Sequence, residues 1–223
     1  GLVQRPVMLP DGSAVRLTVS RYHTPSGRCI QKPYEEGVEA YRKERAERLA
    51  KGELMHPDSI AQVDTARYFT MNKRVVFGGG GIMPDIFVAI DTSLSSDYFG
   101  QLVRKGTLNT FALGLVDRER DRLLRAHSSV GAFIQDHRVD DVVLDELVAA
   151  AKADGVEPDP DGLARSRPLI ALRLKALLAR DLWDTSAYWQ VINADNPVDS
   201  SFRKALEALQ GDMYERMGMA RQQ

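Results

Sequence analysis

Residues 81–96, GIMPDIFVAIDTSLSS, contain the change of character on which the reading of the whole chain turns. Up to Ile90 the sequence is rich in β-branched and aromatic residues and is broken by Gly and Pro. From Asp91 a cluster of Asp, Thr and Ser gives way to charged sequence rich in Leu and Ala. The first pattern suits strands and turns, because β-branched side chains pack well on a pleated surface. The second reads as helix. The near-continuous apolar run Ile82 to Ile90, interrupted only by Pro84-Asp85, predicts a buried strand. The fold class expected is α+β, a partial mixed β-sheet followed by an all-helical C-terminal domain, with residues 1–91 in the first part and 92–223 in the second.

Back from this border, Leu2 to Leu9 and Ala14 to Tyr22 predict a hairpin. Val15, Leu17 and Val19 alternate with Arg16, Thr18 and Ser20, and Pro10-Asp11-Gly12 supplies the turn. Thr24-Pro25-Ser26-Gly27 predicts a second tight turn, after which Cys29 and Ile30 begin a short extended piece. Val38 to Lys51 predicts a solvated helix, with Glu39 and Lys43, Glu44 and Arg48, and Glu47 and Lys51 all at i,i+4 spacing. Arg67 to Met71 and Arg74 to Phe77 predict a further hairpin across Asn72-Lys73.

Forward from the border, helices are predicted at Ser95 to Arg104, Leu108 to Ala126, Val130 to His137, Asp141 to Ala153, Pro168 to Leu182, Ala187 to Asn193 and Ser200 to Gln210. Gly106, Gly155 and Pro197 mark breaks. Ile170, Leu174, Leu177, Leu178 and Leu182 form one apolar stripe, and Leu108, Phe111, Ala112, Leu115 and Val116 another. The sign-alternating run Asp117 to Arg122 is the solvated side of its helix.

The chain has 223 residues, 43% of them hydrophobic, enough for a sizeable core. Thirty Lys and Arg against 31 Asp and Glu leave a net charge of −1, which offers no bulk attraction to nucleic acid. No segment reaches the roughly 18–20 apolar residues of a membrane helix, and Pro168 to Trp183 carries Arg173, Lys175, Arg180 and Asp181. Neither nucleic-acid binding nor membrane insertion is expected. A single cysteine, Cys29, rules out an internal disulfide.

Chemistry is hard to find by spacing. Gly78 to Gly81 is followed by Pro84 and an extended run, with no Gly-Lys-Ser/Thr, so it is read as a turn and not as a phosphate loop. His23, His56, His127 and His137 never lie three or four apart, and no metal site or cofactor is expected. Asp154, Glu157, Asp159 and Asp161 lack the pattern of a calcium loop and are read as a solvated acidic linker. Ser20, Ser26, His23 and Asp11 are near in sequence but lack a nucleophile elbow.

Four motifs taken together carry more information. Gly1-Leu2-Val3-Gln4, Leu9-Pro10-Asp11-Gly12-Ser13, Tyr22-His23-Thr24-Pro25-Ser26-Gly27-Arg28 and Gly81-Ile82-Met83-Pro84-Asp85 occur in the order found at the end of a known catalytic domain. In sequence and order the chain resembles the C-terminal processing proteases, the tail-specific serine peptidases. The resemblance spans about Gly1 to Gln31 and Gly81 to Ile90. Residues 32–80 then read as an insertion, and the helical half is similar to an extension found in one branch of the family.

The resemblance implies a Ser-Lys dyad that cleaves proteins near their C-termini. In the family a Phe-Gly-Lys-Gly-x-Val-Gln segment carries the general-base lysine. Gly1, Val3 and Gln4 match its end, so that lysine and the serine upstream of it fall outside this chain. Gln4 is the one active-site residue that transfers, and this polypeptide alone is expected to be inactive. A lysine can take a serine's proton only when its pKa is lowered, and the Gln4 amide, one helical turn away or on the same side of a strand, can hold the amine in place. The resemblance further implies protein or peptide substrates and a cell-envelope or periplasmic location. An apolar strand at the first residues, with an exposed edge, implies a homodimer. The alternative is a non-catalytic interaction module built on the helical domain.

Overall fold

The computed structural model describes residues 1–31, 37–59, 66–78, 81–196 and 200–218. It is an α+β structure in which two strand pairs, separated by one helix and a 3-10 turn, precede a run of helices. The described residues fall into two compact units, Gly1–Ile90 together with Arg203–Gln223, and Asp91–Phe202.

In the first unit β1 (Leu2–Met8) and β2 (Ala14–Arg21) form an antiparallel hairpin. Leu2 pairs with Arg21, Arg5 with Leu17 and Val7 with Val15, and an irregularity lies between Val3 and Gln4. Its turn closes through Gly12, at φ 84°, and through the Asp11 carboxylate, which accepts from the Ser13 amide at 3.0 Å and the Ser13 hydroxyl at 2.6 Å. Helix α1 (Gly37–Ala50) leads through Gly52 to a 3-10 turn, Pro57–Ser59. Glu53, almost fully buried, accepts from Arg48 Nε at 2.6 Å. The second hairpin pairs β3 (Arg67–Phe69) with β4 (Val75–Phe77).

Among the described residues the strands thus make two separate antiparallel pairs, where a partial mixed sheet was expected. The strand predicted at Ile82–Ile90 does not form: these residues are bends and irregular backbone, and Ile82, Met83 and Ile90 are exposed. The reason is local. Pro84 removes a ladder donor, and Asp85 is drawn into an ion pair with Arg74. Gly79 and Gly80 of the glycine run, and Pro197, lie outside the described residues.

The second unit is helical throughout: α2 (Asp97–Arg104), α3 (Thr107–Ala126), α4 (Val130–Asp136), α5 (Asp141–Ala153), α6 (Pro160–Leu182) and α7 (Thr185–Asp195). The chain continues into α8 (Ser200–Gln210), which is divided between the units, and ends in α9 (Met213–Arg216). Side-chain N-caps set the starts. Ser96 accepts from the Phe99 amide at 3.2 Å, Ser129 from Ala132 at 3.2 Å, Asp140 from Val143 at 3.0 Å, Asp159 from Gly162 at 2.9 Å and Asp184 from Ala187 at 2.8 Å.

Helix α6 is the axis of this unit and packs against α2, α3 and α7. All five residues of its predicted stripe are buried, as are Leu108, Ala112, Leu115 and Val116 of the other. The helix begins eight residues before the predicted start, because Asp159 caps it and Pro160 occupies the first turn, where a missing amide costs nothing. Pro168, read as a start, lies inside. It faces solvent, as does Ala164, so the carbonyl that loses its donor can be met by water.

Candidate functional site

Gln4 lies on β1, beside the irregularity in the hairpin, with its side chain exposed. Its Nε2 donates a long bond of 3.4 Å to Thr18 Oγ1 on the paired strand. The carbonyl end of the amide makes no hydrogen bond among the described residues. Residues before and after a bulge are re-aimed relative to a regular strand, a device common next to active sites. The start of β1 is tied down by its backbone, since Gly1 O accepts from the Tyr22 amide at 2.8 Å.

The turn Thr24–Gly27 has the predicted shape, with Gly27 at φ 81° and its amide donating to Thr24 O at 2.8 Å. Thr24 Oγ1 and Ser26 Oγ are 2.9 Å apart, and His23 faces Cys29 across a single antiparallel bridge. Ser26 therefore spends its hydroxyl on its own turn. Ser20 donates to the Arg21 carbonyl at 3.3 Å, and Asp11 is occupied by Ser13, whose hydroxyl and amide hold its carboxyl below the ordinary value. Among the described residues no hydrogen bonds join Ser20, Ser26, His23 and Asp11 into a triad.

Two separated motifs converge on one hairpin. Arg28 Nη1 donates to Phe77 O at 3.3 Å, and Asp85 pairs with Arg74, so the β3–β4 hairpin holds both the Thr24–Arg28 turn and the Pro84-Asp85 bend. Between that turn and the hairpin lies a groove of about 590 Å³, lined in part by Thr24, Arg28, Phe69, Met71 and Arg74.

In the second unit the predicted acidic linker turns out to be two helix ends. Asp154 follows α5, with its carbonyl and that of Gly155 accepting from Lys105 Nζ at 3.0 and 2.6 Å, while Asp159 caps α6. Among the described residues no three potential metal ligands cluster. What spacing could not show is the meeting of His127 and His137, ten residues apart, over Phe133. Their rings lie 5.5 Å apart and perpendicular. The signal available in the sequence was the pair of histidines on either side of one short helical segment.

Residues 1–40 match the family model of peptidase family S41. The helical unit matches elsewhere: residues 98–184 fit a family of unknown function, DUF8443. Each match covers less than half of the chain. No curated protein and no solved structure matches. The first match contains Gln4 and the Thr24–Arg28 turn, and it supports a peptidase-type family akin to the C-terminal processing proteases. Among the described residues no helix is long and apolar enough to cross a membrane.

Proposed function

We propose that this chain is the C-terminal part of a serine-type endopeptidase whose Ser-Lys dyad is supplied by sequence preceding Gly1, and that Gln4 positions the dyad lysine. The observation that carries the reading is the placement of Gln4. It lies within the segment that matches peptidase family S41, on a strand and beside a bulge, with an amide carbonyl free to accept from an amine. A lysine four residues before it on an extended strand falls on the same side, apart from the turn that the bulge adds. The substrates are proteins cleaved near their C-termini, in the cell envelope.

The test uses a longer polypeptide carrying the serine and lysine. Gln4→Ala lowers kcat by about tenfold or more with the fold intact, as removal of a positioning contact does. It also shifts the pH profile, because the lysine is held less firmly. An unchanged rate and profile removes Gln4 from the site. The 223-residue chain alone neither hydrolyses unfolded protein nor reacts with a fluorophosphonate probe. Labelling lost on Ser20→Ala or Ser26→Ala would show a nucleophile in this chain and overturn the assignment of the dyad to preceding sequence. Failure of both tests would leave the non-catalytic interaction module as the better reading.

The exposed apolar residues of the hairpin, Val7, Val15, Leu17 and Val19, support self-association through β1 and β2 as part of the same proposal. Light scattering on the eluting protein gives a dimer mass that Val3→Lys with Val7→Lys converts to monomer. A monomer at high micromolar concentration excludes the homodimer.

A further inference from the structure

His127 follows α3 and His137 follows α4, so the two rings bracket α4 and meet across it. Phe133, with no exposed surface, joins them: its ring stacks on His137 at 4.4 Å and 12°, meets His127 edge-on at 5.2 Å and meets Trp183 at 5.4 Å. The backbone reinforces the arrangement, since the His137 amide donates to Phe133 O at 3.0 Å and the His127 amide to Leu123 O at 3.0 Å. The imidazole contact therefore closes a short loop whose content is α4. Besides the buried Phe133 and the Ser129 cap, that helix packs against α7 and is fastened by Lys175 of α6, whose Nζ donates to Ile134 O at 2.6 Å.

Neutral imidazoles pack in this arrangement as an ordinary edge-to-face aromatic pair. A proton on His137 places a cation against the edge of His127. The charged groups facing His137 are Arg122 from α3, Lys175 from α6 and Asp140 from the turn into α5; of these only Asp140 attracts an imidazolium. His127 Nδ1 is buried with no hydrogen-bond partner among the described residues, so that atom has no acceptor ready for an added N–H. Burial, then His127, Lys175 and Arg122, lower the His137 pKa from 6.5 to about 4, against the opposite pull of Asp140. Helix α6, in contrast, is packed by α2, α3 and α7 and loses little when α4 leaves.

We propose that His137, seated on Phe133 and His127, forms a proton-operated clasp: unprotonated, its ring holds Phe133 of α4 against Trp183, and acid releases α4 while the α3–α6 core stays folded. The inference stands on the helical unit alone and is independent of the peptidase reading.

Hydrogen exchange followed by mass spectrometry on the full chain, corrected for intrinsic rates, tests it. Between pH 7.5 and pH 5 the amides of α4 lose protection by roughly thirtyfold, the ratio set by a site shifted from 6.5 to about 4, while those of Ile170–Leu182 keep theirs. His137→Phe keeps the stack and abolishes the acid response. Equal loss of protection in α4 and α6 overturns the clasp in favour of global acid unfolding. So does a selective loss in α4 that persists in folded His137→Phe. Should that variant fail to fold, the wild-type comparison of α4 with α6 decides by itself.

Discussion

Strand β2 and helix α6 both mix apolar with polar and charged residues, yet all eight residues of the strand are exposed, whereas α6 buries Ile170, Leu174, Leu177 and Leu178 to 1% exposure or less. The hairpin satisfies its own backbone and buries almost nothing; α6 satisfies its backbone and buries a core face. Hydrogen bonds contribute modestly when the alternative is a bond to water, and an isolated two-stranded hairpin is marginal for that reason. The difference shows where the stability of this chain resides: in the helical unit, with the β residues depending on whatever packs against them.

Splitting the chain gives the largest effect. A polypeptide of residues 91–202 shows a helical circular dichroism spectrum and a cooperative melt, while residues 1–90 alone show no cooperative transition. A cooperative melt of the second fragment would break the comparison. Next come truncations within each unit. Phe133→Ala lowers unfolding free energy by about 3–5 kcal/mol in urea titrations, whereas Leu17→Ala, 48% exposed, changes it by less than about 0.5 kcal/mol in the monomeric background of Val3→Lys with Val7→Lys. A large effect at Leu17 in that background would mean that the hairpin is covered within its own chain.

The third effect depends on acid. His137 has its folded pKa below the unfolded value of 6.5, so the helical unit is most stable above pH 6.5 and loses stability as pH falls toward about 4. The loss is about 2 kcal/mol once solvent screening of a partly exposed ring is allowed for. Urea midpoints at pH 7.5 and pH 4, compared in the wild type and His137→Phe, measure it. A comparable or smaller core effect is expected at Ser166, buried, whose hydroxyl lies 2.8 Å from both Leu94 O and Ser96 Oγ. Ser166→Ala costs about 1–2 kcal/mol by leaving that carbonyl short of a donor.

Legibility followed the same division. Helix α5 occupies the predicted Asp141–Ala153, because Asp140 caps it and Leu144, Leu147 and Ala151 repeat at helical spacing. Helix α6 was misread at its start because Pro168 is a strong local breaker, and only tertiary placement reveals that it faces water. Ile82–Ile90 was misread because the apolar run was weighted above Pro84, which cannot donate to a ladder, and Asp85, which pairs with Arg74. Of the candidate site, Gln4 rests on its motif alone; the meeting of His127 and His137 was not legible, since it depends on how both rings pack on Phe133.

Lys175 offers a use of its own. Its side chain is 5% exposed and held at Ile134 O, while lysines such as Lys43 and Lys204 stand in water. An amine-modifying reagent in brief contact with the folded protein marks the surface lysines first and reaches Lys175 only in molecules that have opened. The mass of one tryptic peptide then becomes a clock that counts those openings, with no engineered label.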